Sequence, residues 1–275
     1  MILVTGAKGQ LGTDLAKELT LRGLKYKGVD SIDFDITNID DVEKSLKELM
    51  PSSVIHCAAY TAVDAAEDDN ILCMKVNRDG TDNIAKICKE INSEMIYIST
   101  DYVFDGDGSL PYETDAPKQP LQVYGKSKLA GEVALQSHLE RCYIVRTSWV
   151  FGENGNNFVK TMLRLSQDRD DINVVNDQIG SPTFTVDLAV LLCDMVLSGK
   201  YGVYHATNEG FCSWAEFAQE IIIVSGSSCR IHPIPTEQYP TKAQRPKNSR
   251  LSKASLDYAG FARLPEWRDA LARYL

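Results

Sequence analysis

The sequence predicts an α/β protein built on a doubly wound parallel sheet, with a smaller lobe in its C-terminal part. Two observations support this prediction. Short apolar runs alternate with longer segments of helical periodicity, and the alternation loosens after Thr147. Strands that alternate with crossover helices form a parallel sheet covered by helices on both faces. A chain of 275 residues can bury one large core or two smaller ones.

Five strands are predicted in the first half of the chain. They are short apolar runs at residues 2–5, 26–30, 54–56, 95–99 and 142–147. Apolar residues at helical spacing mark the helices between them, at residues 11–24, 42–49, 84–91 and 129–139. Because the two kinds of element alternate, consecutive strands are expected to lie parallel.

The second half predicts a less regular arrangement. Its elements are a helix at 158–165, a strand at 172–175, a strongly apolar helix at 186–197, a loop rich in Pro, Lys and Arg at 233–250, and a terminal helix at 266–274. We expect the apolar helix to return to the main sheet. The predicted division is a cofactor domain of residues 1–147 with about 172–198, and a substrate-binding lobe of about 148–171 and 199–275.

Composition excludes several classes of protein. Apolar residues make up 44% of the chain and charged residues 24%, which is typical of globular proteins. The net charge of −9 is opposite in sign to the charge that nucleic-acid binders need. No segment approaches the roughly 18–20 apolar residues of a membrane span, and the N-terminal residues lack the pattern of a leader peptide. We therefore expect a cytoplasmic protein that binds neither nucleic acid nor membrane.

Cysteine and histidine residues show no spacing typical of a metal site. The seven cysteines include no Cys-x-x-Cys pair, and the four histidines are scattered. Most of these thiols are expected to be buried and reduced, as in the cytoplasm, and no metal site is predicted.

A glycine-rich segment, TGAKGQLG at residues 5–12, joins the first strand to the first helix. Glycines three residues apart allow a tight turn whose backbone approaches a ligand closely, and the following helix N-terminus attracts a pyrophosphate. This strand–turn–helix context predicts a dinucleotide site of the Rossmann type. The residues expected to contact NADH or NADPH here are Gly6, Gly9, Gln10, Leu11 and Gly12.

Acidic residues after the second predicted strand are expected to bind the adenosine half of the cofactor. Asp30 lies 24 residues after Gly6, where a carboxylate can accept both ribose hydroxyls. It would repel a 2′-phosphate and so slightly favours NADH, whereas Lys8 could contact that phosphate. Asp35 and Ile36 are expected to frame the adenine ring.

A tyrosine and a lysine one helical turn apart, Tyr124 and Lys128, form the most chemically specific pair. The ammonium group is expected to lower the pKa of the phenol and to bind the nicotinamide ribose. Thr100, 24 residues before Tyr124, ends the fourth predicted strand. Addition of hydride to a ketone needs a proton donor and a partner for the oxygen, which Tyr124 and Thr100 can supply.

These residues together resemble the extended short-chain dehydrogenase/reductase family, and the resemblance spans essentially the whole chain. It is carried by eight strings: TGAKGQLG (5–12), AAYTAVD (58–64), STDYVF (99–104), YGKSKLAGE (124–132), RTSWV (146–150), NNF (156–158), DQIGSPT (177–183) and RPKNS (245–249). The match is closest to reductases of nucleotide-linked keto-sugars. The resemblance implies reduction by NADH or NADPH of the C4 ketone of dTDP-4-dehydro-L-rhamnose.

The resemblance also implies roles for individual residues. Tyr124 would be the proton donor, Lys128 would orient the cofactor and the tyrosine, and Thr100 would polarise the ketone. Further residues would flank the cofactor (Ala58, Ala59, Tyr60 and Thr61) or contact the sugar (Asp101, Val103 and Trp149). Arg245 would meet the nucleotide diphosphate, although a solvated basic loop explains this residue nearly as well.

Two other functions and the oligomeric state stay open at this level. Related sugar-nucleotide 4,6-dehydratases typically have Asp-Glu after the active-site threonine, whereas Tyr102 stands here in place of the glutamate. A regulatory subunit resembling that of methionine adenosyltransferase can keep the tyrosine–lysine pair. Some family members are dimers bridged by magnesium; Asp14 matches one of the acids involved, but Val186 replaces another. We expect a monomer or a homodimer without metal.

Overall fold

The computed structural model describes residues 1–275. Its strands are β1 Ile2–Thr5, β2 Tyr26–Val29, β3 Ser53–His56, β4 Glu94–Thr100, β5 Cys142–Thr147, β6 Val150–Phe151, β7 Asp171–Val175, β8 Ile179–Gly180, β9 Thr183–Phe184, β10 Gly202–His205, β11 Cys212–Ser213, β12 Arg230–Ile234 and β13 Asn248–Ser249. Its helices are α1 Gln10–Leu21, α2 Ile39–Leu49, α3 Val63–Ala66, α4 Asn70–Met74, α5 Gly80–Glu90, α6 Val123–His138, α7 Phe158–Asp168, α8 Thr185–Val196, α9 Trp214–Ser225, α10 Ala254–Ala259 and α11 Trp267–Tyr274. A π-helical turn, Lys75–Asp79, joins α4 to α5.

The main sheet has six strands in the order β10-β5-β4-β3-β1-β2, all parallel. The chain moves from β1 to one side to form β2 and then returns to the other side to form β3. This reversal makes a doubly wound sheet, and it creates a crevice beyond the carboxyl ends of β1 and β3, where such folds bind ligands. The predicted fold class is confirmed.

Alternation along β1 explains why its sequence is apolar throughout. Leu3 lies in the core on one face of the sheet, beneath α2 and α5, whereas Val4 lies in the core on the other face, beneath α1 and α8. Successive side chains of a strand point to opposite faces, and both faces of this sheet are covered by helices. The sheet therefore holds the loop after β1 rigidly from both sides.

A separate core forms the C-terminal lobe. Strand β7 pairs in parallel with β12, and helices α7, α9 and α11 surround a cluster that includes the completely buried Trp267 and Phe217. Helix α9 begins with a capping box, in which Ser213 and Glu216 bond each other's backbone N–H groups.

The structure differs from the predicted division at two points. The strand expected at 172–175 is β7, which lies in the lobe and not in the main sheet, because it pairs with β12. Strand β10, which we expected in the lobe, extends the main sheet beside β5. Helix α8 does return to the main sheet, where it packs against α1. Apolar runs predicted the strands, but pairing between distant segments decided which sheet each one joins.

None of the helices is long and apolar enough to cross a membrane. All seven cysteines are free thiols, and six of them are buried.

Candidate active site

A cavity of about 700 Å³ lies beyond the carboxyl ends of the parallel strands. Most of the site residues expected from the sequence line it: Gly6, Gly9, Gln10, Leu11, Gly12, Asp30, Asp35, Ile36, Ala58, Ala59, Thr61, Thr100, Asp101, Tyr124, Lys128 and Trp149. Three expected residues do not line it: Tyr60, Val103 and Arg245. The fold therefore brings nearly all of the residues singled out along 150 positions into one cleft.

The glycine loop forms a cradle that side chains would fill. Gly6 has a left-handed φ of +66°, and a Cβ there would lie 2.7 Å from the backbone nitrogen of Ala58. A Cβ on Gly12 would lie 2.1 Å from the carbonyl oxygen of Gly6. Gly9 caps α1 without a side chain, so the first N–H groups of that helix stay open toward the cavity. This loop fits the pyrophosphate of a dinucleotide.

Gln10, the first residue of α1, connects the glycine loop to the lobe. Its side-chain oxygen accepts a hydrogen bond of 3.0 Å from Nδ2 of Asn157, which also donates to the carbonyl oxygen of Gly152 at 2.8 Å. The segment that bears Asn157 is thereby held against the start of α1. Asn156 beside it lines the cavity.

Asp30 lies one residue beyond β2 and is anchored by the glycine loop. Its Oδ2 accepts a hydrogen bond of 2.9 Å from the backbone N–H of Lys8, which leaves Oδ1 for a ligand. A carboxylate in this position suits the adenosine ribose of a dinucleotide.

Asp35 and Ile36 lie at the adenosine end of the cavity. The backbone N–H of Thr37 donates to Oδ1 of Asp35 at 2.8 Å, and this bond lowers the pKa of the carboxyl group. Ile36 packs closely on Gly80. A Cβ added at Gly80 would lie 2.8 Å from Cδ1 of Ile36. The small residue thus leaves room for the isoleucine that was expected to contact adenine.

Tyr60 is held by its backbone and does not line the cavity. The side chain of Asn77, in the π-helical turn, accepts from the N–H of Tyr60 at 2.8 Å and donates to its carbonyl oxygen at 3.0 Å. The same amide donates to Oγ of Ser127 at 2.9 Å. Asn77 therefore positions the segment 58–61 against α6, a role that no sequence pattern indicated.

Tyr124 and Lys128 both face the cavity from the first turns of α6. Burial raises the pKa of Tyr124 above its ordinary value, with the Thr100 side chain acting in the opposite direction. Burial also lowers the pKa of Lys128 to about 7, and the charge of Glu132 opposes this decrease. The expected lowering of the phenol pKa is therefore wrong for this structure, because desolvation of the buried phenol is the largest effect on it.

The ammonium group of Lys128 has an aromatic neighbour that the sequence did not indicate. Its Nζ lies 4.0 Å from the centroid of the Tyr97 ring, on β4. A cation over an aromatic face is stabilised by the ring quadrupole. The pair also has a backbone link, since the Tyr97 hydroxyl donates to the carbonyl oxygen of Lys128 at 3.3 Å.

Thr100 and Asp101 lie together where β4 ends. The Thr100 hydroxyl donates to Oδ1 of Asp101 at 3.0 Å and accepts from the N–H of Tyr102 at 3.2 Å. The other carboxylate oxygen of Asp101 is buried and has no partner, and burial raises the pKa of this group to about 6. The Ser249 side chain opposes this increase in pKa.

Trp149 lines the cavity with a strained backbone and one covered face. Its φ of +49° is left-handed, which is unusual for a bulky residue and is typical of functional sites. The ring of Trp214 stacks on it with a centroid distance of 3.7 Å. A sugar can therefore meet only the part of Trp149 that Trp214 does not cover. Trp214 was not predicted, because it reaches this place only through the folding of the lobe.

Two residues expected in the substrate site lie elsewhere. Val103 is completely buried against Phe104 and Leu251, so its side chain does not face the cavity, and its role toward the sugar stays a prediction. Arg245 forms an ion pair with Asp64 and donates to the Tyr102 hydroxyl at 3.1 Å. Tyr102 lines the cavity, so Arg245 stands behind the wall, and its role toward a diphosphate stays a prediction.

Asp14, the acid discussed above for a bridging metal, is buried and paired within the chain. It accepts hydrogen bonds from Thr185 at 2.5 Å and from Lys17 at 3.2 Å. No group of three or more His, Cys, Asp or Glu residues could hold a metal ion. The absence of a bound metal stays a prediction.

A doubly wound sheet, a glycine cradle after β1 and a tyrosine–lysine pair facing it together define the class of extended short-chain dehydrogenases/reductases. Within this class the chain belongs to the family described as RmlD substrate binding domain, whose profile matches residues 1–275. The family expected from the sequence is confirmed.

Known relatives match over nearly the full length. The chain is 42% identical to a dTDP-4-dehydrorhamnose reductase of Aggregatibacter actinomycetemcomitans, over 98% of this chain and 96% of the relative. It is 40% identical to the spore coat polysaccharide biosynthesis protein SpsK of Bacillus subtilis, over 100% and 96%. The crystal structure of a Bacillus anthracis dTDP-4-dehydrorhamnose reductase in complex with NADP has 41% identity and a TM-score of 0.97, over 99% and 97%.

A dTDP-glucose 4,6-dehydratase from Streptomyces venezuelae superposes with a TM-score of 0.85 but has only 16% identity, over 99% of this chain and 95% of the dehydratase. This likeness shows the fold alone.

Proposed function

We propose that the protein reduces the C4 ketone of dTDP-4-dehydro-L-rhamnose to give dTDP-L-rhamnose, with NADH or NADPH as the reductant. The reaction serves the synthesis of rhamnose-containing polysaccharides. One observation carries the proposal: Thr100, Tyr124 and Lys128 face the same cavity as the glycine cradle. The names and coverage of the relatives support the choice of sugar.

The residues present fit a nicotinamide dinucleotide, which supplies a hydride when bound. The glycine loop and the start of α1 would hold its pyrophosphate, and Asp30 would hold its adenosine ribose. Lys128, deep in the cavity, would hold the nicotinamide ribose. Asp30 slightly favours NADH, whereas the Bacillus anthracis relative binds NADP, and both cofactors are therefore part of the proposal.

Tyr124 and Thr100 act on the oxygen of the ketone. The raised pKa of Tyr124 keeps the phenol protonated at neutral pH, which is the form that donates a proton to the developing alkoxide. Thr100 turns its hydroxyl from Asp101 toward the same oxygen and polarises the carbonyl group. The ketone oxygen thus stays bonded to C4 and becomes a hydroxyl group that carries the proton from Tyr124.

Asp101 and Trp149 are proposed to orient the sugar. Asp101, which lines the cavity, would accept a hydrogen bond from a sugar hydroxyl. The uncovered part of the Trp149 ring would pack against the apolar face of the ring. These contacts would place the C4 ketone against Tyr124, which is the condition for proton transfer.

The test is a spectrophotometric assay with dTDP-4-dehydrorhamnose, a panel of other nucleotide keto-sugars, and each reduced cofactor. We expect oxidation of NADH or NADPH that depends on the dehydrorhamnose substrate. Tyr124→Phe is the control for a background rate. A protein that binds the cofactor but never oxidises it would support the regulatory alternative and contradict the proposal.

The dehydratase alternative is disfavoured by the residue after Asp101. Tyr102 cannot act as a carboxylate base, and its hydroxyl is engaged with Arg245. Loss of water from dTDP-glucose on incubation with the protein would reverse this conclusion.

Assembly as a monomer or homodimer and location in the cytoplasm stay predictions. The seven free thiols support a reducing compartment.

A further inference from the structure

A fully buried ion pair lies behind the catalytic wall of the cavity. The side chains of Glu132, on α6, and Arg146, on β5, are 3% and 1% exposed. Arg146 donates from Nε to Oε1 at 2.9 Å and from Nη2 to Oε2 at 2.7 Å, so the pairing is bidentate. Burial of two charges costs free energy that the pairing offsets only in part, and such a pair is retained where it does something else.

The pair is fixed from several directions. The third nitrogen of the guanidinium group, Nη1, donates to the carbonyl oxygen of Thr114 at 2.9 Å and lies 3.3 Å from Nε2 of His205. Burial and the charge of Arg146 lower the pKa of His205 to about 3, so this imidazole is neutral. The carboxylate of Glu132 therefore has a defined position.

One arm of this network reaches the end of β4. The hydroxyl of Ser99 donates to Oε1 of Glu132 at 2.5 Å. Ser99 directly precedes Thr100, whose hydroxyl is proposed to polarise the ketone. The carboxylate thus holds the strand end that presents Thr100 to the cavity.

The other arm acts on Lys128, one helical turn before Glu132 on α6. The titratable groups around its ammonium are His56 and Cys57 at the end of β3, Cys73 on α4, Tyr97 on β4, and Tyr124 and Glu132 on its own helix. Burial keeps the histidine, the thiols and the phenols in their neutral forms. Glu132 is therefore the charged member of the set.

We propose that Glu132 is a positioning residue for the reduction: clamped by Arg146, it holds the Ser99–Thr100 strand end in place and stabilises the buried ammonium group of Lys128. The inference rests on the proposed function, since it assumes that Thr100 and Lys128 serve the reaction. It explains why an ion pair stands in a place where apolar residues of the same volume would pack as well.

The test measures the pKa of Lys128 directly. The cofactor-free protein is labelled with acetic anhydride over a range of pH, and the modification of Lys128 is read by mass spectrometry. For Glu132→Gln we expect the pKa of Lys128 to fall by about one unit, because an opposite charge nearby has been removed. Glu140→Gln, an exposed acid just after the same helix, is the matched control and should leave it unchanged.

Two further variants are needed. One distinguishes the effect of Glu132 on the strand end from its effect on Lys128, and the other replaces Glu132→Gln if that variant does not fold. Ser99→Ala should leave the pKa of Lys128 unchanged and lower kcat with the dehydrorhamnose substrate, since only the strand end is released. If Glu132→Gln does not fold, because Arg146 is left unpaired, Glu132→Gln/Arg146→Met carries the same expectation. In this double variant the guanidinium group that would otherwise be buried without its partner is removed as well.

An unchanged pKa of Lys128 in a folded Glu132 variant would overturn the proposal. The pH profile of kcat/KM provides a second readout: its basic limb should move to lower pH in Glu132→Gln by the same amount as the labelling curve. Labelling does not depend on turnover. Wild-type protein without reductase activity would therefore refute the proposed function, while the labelling would still decide how Glu132 acts on Lys128.

Discussion

The indole ring of Trp214 lies nearly parallel to that of Trp149, with a centroid distance of 3.7 Å and an angle of 15° between the planes. Trp149 belongs to the segment that leaves the main sheet, and Trp214 is the first residue of α9 in the lobe. The contact therefore joins the two parts of the molecule at the sugar end of the cavity. The close approach of Gly180 also restricts Trp149, since a Cβ there would lie 2.8 Å from its Cε2.

Replacement of Trp214 by Ala should impair binding of the nucleotide sugar more than binding of the cofactor. An aromatic pair contributes about 0.5–1.5 kcal/mol, so we expect KM for the sugar to rise by roughly 2- to 10-fold. The affinity for NADH and NADPH should stay within twofold, because Trp214 does not line the cavity. Tyr258→Ala, at a position that is 90% exposed, is the control. Equal losses for sugar and cofactor would show that the lobe had merely been destabilised.

Tyr124→Phe should retain the cofactor and lose most of the turnover. Only the proton-donating hydroxyl is removed, and a proton donor contributes about 10²–10⁴ in rate. Steady-state kcat and the quenching of tryptophan fluorescence by NADPH measure the two effects. Tyr102→Phe removes the neighbouring hydroxyl, whose partner is Arg245, and should have a much smaller effect on kcat. Near-normal turnover by the Tyr124 variant would exclude it as the donor.

Asp101→Asn should stabilise the ligand-free protein at neutral pH and reduce its activity. The pKa of Asp101 is raised from 3.8 to about 6 in the folded state, so the folded form binds more protons than the unfolded form between these values. The penalty for the buried charge is absent below pH 4, grows as the pH rises and is complete above pH 6. Thermal unfolding at pH 4 and pH 7 should show a higher Tm for the variant at pH 7 only, which corresponds to a gain of order 1–3 kcal/mol in the free energy of unfolding. A gain of the same size at both pH values would point to packing instead.

Asp30→Asn should shift the preference toward NADPH. The amide oxygen can still accept from the N–H of Lys8, so the loop keeps its anchor, but the charge that repels a 2′-phosphate is gone. Removal of that repulsion is worth on the order of 1 kcal/mol near a surface, about fivefold in the ratio of kcat/KM for NADPH to that for NADH. Glu48→Gln, an exposed acid on α2 that does not line the cavity, controls for net charge. An unchanged ratio in Asp30→Asn would remove this residue from cofactor selection.

The chemistry of the cleft could be predicted where the residues that perform it lie close together in sequence. The glycine loop follows β1 directly, and Tyr124 and Lys128 are one helical turn apart. The periodicity of the local sequence therefore predicts where the loop and the pair lie, even when the rest of the fold is unknown. The direction of the Val103 side chain could not be predicted in this way. This residue adjoins Thr100 and Asp101 in sequence, but the turn after β4 directs its side chain into the core beside Leu251, which comes from the far end of the chain.

Electrostatics of the site depended on burial, which no local pattern reports. The spacing of Tyr124 and Lys128 predicted a lowered phenol pKa, whereas the closed cavity raises it and lowers the pKa of the lysine to about 7. The charge that counteracts this effect on Lys128 comes from Glu132, whose partner Arg146 lies on another strand. Desolvation acts through the whole surroundings of a group and not through its neighbours in sequence.

By itself the sequence determined the fold class, the glycine loop and the tyrosine–lysine pair, because each follows from short-range spacing on a strand, a turn or a helix. Only the tertiary structure decided that β10 joins the main sheet while β7 does not, that Trp214 covers one face of Trp149, and that Glu132 is clamped behind Lys128. These relationships join residues that are far apart along the chain, and they form only when the separate helices and strands pack together.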